Sequence, residues 1–282
     1  IVCLSEENYY LISAGAWTEY DSDYLHKSLA DSKFDSVNIY DCTSQWGVFS
    51  IAGPNSRSFL KKIVVSEDPD KTLSNKEFPW LSYRDIEIGM CPVRALRVAY
   101  TGELGWELHH PIEMQNYLLD ILLSSGKEFN LKLVGARAQN WLRQEKSYKA
   151  FGSDLGRDAG PFESKLSRFV DINKNFLGKD ALLKRKTDVS CVTLLIDGPK
   201  DIDPWGREAL YNETEEVMLG RLTSAGYSVH FKRSIGIGYV KSSFSEVGTK
   251  LRIKIDDAFW NAEIVRDSPY DPQNERIIDR AQ

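Results

Sequence analysis

The sequence predicts an α+β fold in two parts: mixed strands and helices over residues 1–186, then an antiparallel β-barrel over residues 187–282. Three observations lead there. Helix-period and strand-period segments mix freely up to Leu183. The basic run Lys184-Arg185-Lys186 then reads as a solvated connector. Beyond it helix signals vanish, and short strand patterns alternate with turn residues.

The first part opens on Ile1 to Leu4 and Tyr9 to Ile12, two strand patterns joined by the polar turn Ser5 to Asn8. A chain that opens in mid-hairpin without Met is expected to be a fragment of something longer. Glu19 to Leu29 carries helical apolar spacing through Tyr20, Tyr24 and Leu25. Trp46 to Ile51 reads as a strand, and Ser56 to Ile63 as a short helix capped by Asn55 or Ser56. Ile86 to Ile88 and Val93 to Tyr100 read as further strands. Pro111 is expected to open a helix running through Leu123, with a second helix from Ala136 to Tyr148 and a short one ending at Leu183. In the second part, Val192 to Ile196, Ala209 to Tyr211, Val217 to Leu222, Ile235 to Val240, Leu251 to Ile255 and Ala262 to Val265 are the expected strands.

Composition narrows the function. With 42% hydrophobic and 27% charged residues over 282 positions, the chain reads as an ordinary globular protein. A net charge of −5 gives no reason to expect nucleic acid, and no apolar run suggests a membrane span. The cysteines Cys3, Cys42, Cys91 and Cys191 are scattered without CxxC spacing, which fits free thiols in a reducing compartment, cytoplasm or mitochondrial matrix. Four histidines make a histidine-built metal centre an unpromising expectation. No GxSxG elbow supports a hydrolase triad, and Gly236-Ile237-Gly238 is not followed by a helix, so it is no phosphate loop.

The richest stretch is Tyr100-Thr101-Gly102-Glu103-Leu104-Gly105-Trp106-Glu107-Leu108. It reads as strand, glycine turn, strand. Alternation after the turn sets Trp106 and Leu108 on one face, Glu107 and His109 on the other. A carboxylate among aromatics is costly to bury unless donors meet it, and a flat heterocycle with N–H groups along one edge suits such a site. The bland alternative is a strand glutamate facing water or pairing with Arg97. On the helix that follows, Arg137 could reach a ligand carboxylate, whereas Arg143, Glu145 and Lys146 read as a solvated ion-pair face. Asp154 sits in a long polar loop, as a cap or a catalytic group. Tyr227 is either a packing residue or a ligand wall.

Several segments in this order resemble one family. Trp46-Gly47-Val48-Phe49-Ser50-Ile51-Ala52-Gly53-Pro54, the Tyr100 to Glu107 stretch, Leu142-Arg143-Gln144-Glu145-Lys146, Gly152-Ser153-Asp154, Pro161-Phe162-Glu163, Phe176 to Leu182, Thr223-Ser224 and Gly238-Tyr239-Val240 are similar to the aminomethyltransferase (glycine-cleavage T-protein) superfamily. Arg137-Ala138 and Glu145-Lys146 are more similar to the folate-binding part of dimethylglycine and sarcosine dehydrogenases. The resemblance implies a cloverleaf-like fold with a central folate site, residues 1–186 forming an N-terminally truncated folate-binding domain. It implies tetrahydrofolate as cofactor and one-carbon transfer from a methylated amine donor. FAD would follow only from an upstream dehydrogenase segment. Glu107 matches the glutamate that holds the pterin edge, with Tyr100, Trp106, Arg137 and Tyr227 as further binding candidates. The family's catalytic aspartate aligns just ahead of Ile1, so the catalytic residue is unassigned. The family's Arg-Asp pair stands here as Gln139-Asn140, its Thr-Pro as Gly160-Pro161, and an aromatic as Arg168. These departures keep open a non-catalytic regulatory or scaffold relative. The iron–sulfur-assembly branch is disfavoured, because its Lys-Gly-Cys motif is not found.

Overall fold

The computed structural model describes residues 1–32, 36–198 and 203–279. The chain forms two compact units, one made of Ile1–Ala99, Glu103–Lys132 and Arg276–Gln282, the other of Tyr100–Gly102 and Leu133–Glu275. The boundary expected at 186/187 therefore falls inside the second unit.

In the first unit, the hairpin β1 (Val2–Ser5) and β2 (Asn8–Tyr10) precedes helix α1 (Thr18–Ala30). Strand β3 (Trp46–Ala52), helices α2 (Ser56–Ile63) and α3 (Pro69–Thr72), strands β4 (Tyr83–Ile88), β5 (Cys91–Leu96) and β6 (Gly105–Pro111), and helix α4 (Gln115–Gly126) follow. The four longer strands make an antiparallel sheet in the order β3-β6-β5-β4. One face is the core. Ile51, Trp106, Leu108, Val93 and Ile88 pack there against Phe59 and Leu60 of α2 and Leu118 and Leu122 of α4. The apolar stripes of those helices need such a surface to leave water.

Three local expectations need correction. The strand expected to reach Tyr100 stops at Leu96. Past it, the Val98 amide bonds back to the Leu96 carbonyl at 2.9 Å, and Arg97 is pulled inward to donate to the carbonyls of Phe78 (2.6 Å) and Ile278 (2.7 Å). Pro111 closes β6 instead of opening a helix, and a 3-10 turn at Ile112–Met114 leads into α4. Helix α2 has no side-chain cap; the Ser56 hydroxyl donates instead to the carbonyls of Gly53 (2.7 Å) and Leu104 (3.0 Å).

The second unit holds α5 (Ala136–Glu145), the short α6 (Lys179–Lys184) and six strands: β7 (Val189–Ile196), β8 (Ala209–Tyr211), β9 (Met218–Ser228), β10 (Arg233–Lys241), β11 (Lys250–Ile255) and β12 (Ala258–Val265). They close into an antiparallel barrel in the order β10-β7-β12-β11-β8-β9. Closure removes the free edges that an open sheet exposes. Val192, Leu194, Ile196, Leu222, Ile253 and Ile264 fill the interior. Helix α5 lies on β9, where a Cβ at Gly226 would overlap the Trp141 ring. Glycine is what lets helix and strand approach so closely. Helix α5 stops at Glu145, three residues short of the expected Tyr148, where Ser147 takes the left-handed φ of 54°.

Candidate functional site

Strand β6 separates its side chains as the alternation predicts, but the two faces do different work. Trp106 is fully buried on the core face, with the Arg57 and Arg97 guanidinium carbons 5.5 and 5.8 Å from its ring and Phe78 edge-on at 6.3 Å. It is a core residue, not the wall of a cleft: the face it shares with Leu108 is the one the helices cover. Arg57 also donates to Asn75 Oδ1 at 2.8 Å and pairs with Asp279 at 3.0 Å, while Asn75 donates to the Asp279 carbonyl at 2.6 Å.

Glu107 points the other way. Its side chain is 31% exposed, beside Ser50 on β3 and Leu96 on β5 in register. It does not meet Arg97. One carboxylate oxygen lies 3.3 Å from Nε2 of the buried His109, whose Nδ1 lies 3.1 Å from the Tyr10 hydroxyl. Tyr10 sits edge-on to the His109 ring at 5.5 Å and tilted against Trp46 at 6.0 Å. The Arg94 guanidinium covers the rings of Tyr10, Trp46 and Tyr83 at 5.4, 5.5 and 5.9 Å and bonds to Asp85 at 3.0 Å. Burial, and then the nearby Cys42 and Glu107, raise the Tyr10 pKa against the pull of Arg94, so the phenol stays protonated. The result is a half-open sheet face with a carboxylate at one side and aromatic rings beside it. The second oxygen of Glu107 takes no hydrogen bond from the described residues. An ionised carboxylate can accept about four bonds, so acceptor capacity is left for an incoming N–H edge.

The other candidates lie in the second unit. Tyr100 stacks on Tyr148 with ring centres 5.9 Å apart, and burial raises its pKa despite the Arg143 charge. Arg137 is 57% exposed, ion-paired to Asp203, with its guanidinium 5.3 Å from the Trp141 ring and 5.4 Å from that of Trp205. Tyr227 is half-buried on β9 opposite Ser234.

The face expected to be solvated is buried. Arg143 is 3% exposed and donates to Asp154 (2.6 Å), to Ser224 (2.7 Å) and to the Tyr148 carbonyl (2.7 Å). Asp154 also accepts from the Thr223 and Ser224 hydroxyls, both at 2.6 Å, and from the Ala150 amide at 2.9 Å. With four donors around it, Asp154 is neither a helix cap nor an open catalytic acid. Glu145 accepts from the Ser228 hydroxyl at 2.5 Å. Lys146 donates to the Asp271 carbonyl (2.6 Å) and Asn274 Oδ1 (2.8 Å). No group of His, Cys, Asp and Glu among the described residues could hold a metal ion. All four cysteines are free thiols, and no helix among the described residues is long and apolar enough to cross a membrane.

Residues 1–174 match the family model described as the GCVT N-terminal domain, and residues 190–271 match the glycine cleavage T-protein C-terminal barrel domain. The chain belongs to the glycine-cleavage T-protein family. Mitochondrial dimethylglycine dehydrogenase of Mus musculus is 34% identical over 92% of this chain and 29% of its own length. Mitochondrial sarcosine dehydrogenase of Mus musculus is 28% identical over 95% of this chain and 30% of its own length. An aminomethyltransferase of Caldanaerobacter subterraneus subsp. tengcongensis is 28% identical over 92% of this chain and 67% of its own. The chain thus spans about three-tenths of the dehydrogenases it matches. In fold it is similar to the crystal structure of aminomethyltransferase T from Bartonella henselae, with TM-score 0.71 and 20% identity over 89% of this chain and 66% of that one. The T-protein family is an enzyme family, and this member is an aminomethyltransferase-type domain related to demethylating dehydrogenases.

The sequence pattern places Glu107 and His109 on one face, as observed. It gives no sign of Tyr10, Trp46 or Arg94, which reach that face from other strands.

Proposed function

We propose that this chain is a tetrahydrofolate-dependent one-carbon transfer module, part of a dimethylglycine- or sarcosine-dehydrogenase-like flavoenzyme. Residues 1–186 form its folate-binding part and residues 187–282 its barrel. One observation carries the reading: Glu107 presents a half-buried carboxylate with an open oxygen on an aromatic-lined sheet face, in a chain of this family. The amino-pyrimidine edge of a reduced pterin offers parallel N–H donors, and charge-assisted pairs of that kind are strong and directional. Bound tetrahydrofolate supplies the nitrogen that accepts the one-carbon unit. The chain's own contribution is position. Glu107 fixes the ring edge, and the rings of Tyr10 and Trp46 shield the contact from water. Holding two reactants in place removes much of the barrier of a bimolecular step. Tyr100, Arg137 and Tyr227 remain candidates for folate contacts. Trp106 contributes from beneath, by fixing the strand that carries Glu107.

The donor is a methylated amine oxidised at a flavin (FAD) on a dehydrogenase segment or subunit, and the compartment is the mitochondrial matrix or the cytoplasm. Isothermal titration with 5-formyltetrahydrofolate tests the reading. Micromolar binding to the chain and a loss of at least about tenfold in E107A are expected, the scale of a charged hydrogen-bond pair. Binding that E107A leaves unchanged, or none at all, overturns it. Absence of binding would favour the regulatory or scaffold reading.

A further inference from the structure

Glu107 does not stand alone. His109 is two positions along the same strand and 1% exposed, and it touches Glu107 on one side and Tyr10 on the other. The chemistry of the two contacts restricts its protonation. An ionised carboxylate only accepts, so the bond at Nε2 requires a hydrogen there. In the neutral ring, Nδ1 then carries the lone pair, and the Tyr10 hydroxyl must be the donor. The Tyr10 hydroxyl keeps its proton, and Tyr10 is held from above by Arg94. The alternative neutral tautomer would set a lone pair of Nε2 against a carboxylate oxygen, which is repulsive.

Resting on the reading of Glu107 as the pterin-edge acceptor, we propose that Tyr10 and His109 form a relay that fixes the Nε2–H imidazole. That imidazole anchors one oxygen of Glu107 and leaves the other directed to the folate. His109 is thus a positioning residue, acting through Glu107 without touching ligand. Around metal sites, outer groups that orient a ligand by their second hydrogen bond change affinity or activity by about 10–100-fold when removed, and the same reasoning applies to a histidine that orients a carboxylate. The relay also explains why a histidine is buried on the face of the sheet that carries Glu107: there its two ring nitrogens have separate partners, one on its own strand and one on the hairpin.

Two measurements on the full chain test the relay. In protein labelled with ¹⁵N-histidine at pH 7, His109 is expected to carry its proton on Nε2 alone, and Y10F to weaken that preference. A proton on Nδ1, or on both nitrogens, overturns the proposal. This readout needs no folded variant of His109. In titrations with 5-formyltetrahydrofolate, H109L should weaken binding about tenfold. H109Q, which keeps an amide N–H near the Nε2 position, should stay within about threefold of the unmodified chain. In the E107Q background, H109L should cost less than about twofold, because the residue it acts through is already altered. Equal cost in both backgrounds, or no cost of H109L in either, overturns the positioning role while leaving Glu107 intact. An unaffected E107A instead removes the underlying reading of Glu107. The two failures are therefore distinguishable.

Discussion

Arg97 and Arg143 are both buried guanidinium groups, one in each unit, and they are satisfied differently. Arg97 donates to two backbone carbonyls, stacks near Trp106 and leaves its Nε without a hydrogen-bond partner among the described residues. Burial, and then the neighbouring Arg57 charge, pull its pKa down to about 10. Arg143 meets a buried carboxylate, two side-chain oxygens and a carbonyl. In the first unit a cation is used to collect two main-chain carbonyls, one from a loop and one from the end of a short helix. In the second, an ion pair ties helix α5 to the loop carrying Asp154 and to β9. A charge with a buried counter-charge is the more dangerous one to break, because truncating one partner leaves the other stranded in a medium of low polarity.

That contrast can be tested by substitution. The largest loss is expected for D154A, which leaves Arg143 buried without its carboxylate: about 3–5 kcal/mol in urea unfolding. R97M keeps most of the volume and gives up two bonds to carbonyls, so a smaller loss of about 1–3 kcal/mol is expected. Equal losses would show that the counter-charge matters less than the hydrogen bonds. The smallest effect concerns neutral groups on the barrel. Burial pushes the Cys191 thiol up to about 12 and, on the paired position of the next strand, the Tyr239 phenol also to about 12. A folded-state pKa above the unfolded one means stability that is whole below the unfolded value of 9.0 and is lost as pH rises toward about 12. The free energy of unfolding should therefore fall between pH 8 and 10, by an amount on the order of 1 kcal/mol from Cys191. C191A should flatten that decline. Arg97 works in the opposite direction, but only as pH passes its own folded value of about 10.

How far the sequence could be read depended on where each residue's partners lie. Glu107 and His109 were legible because the two-residue period of a strand fixes their common face. Trp106 was placed correctly opposite them, yet its role was misread, since alternation does not say which face the helices cover. Arg143, Glu145 and Lys146 carry a pattern that suits a wet helix surface. Their partners Ser224, Ser228 and Asn274 lie 81, 83 and 128 positions away, so nothing local signals their burial. Tyr10 meets His109 across 99 positions and was equally silent. The barrel strands were found because each is a short local pattern closed by turn residues.

The return of residues 276–279 to the first unit has a consequence for synthesis. Arg57, Asn75 and Arg97 wait for partners 222, 204 and 181 positions downstream. On the ribosome, those two guanidinium groups emerge long before Ile278 and Asp279 have been translated. The first unit, though translated ahead of the barrel, is therefore finished only after it, and a nascent chain stalled inside the barrel would still expose that unit to chaperones and proteases.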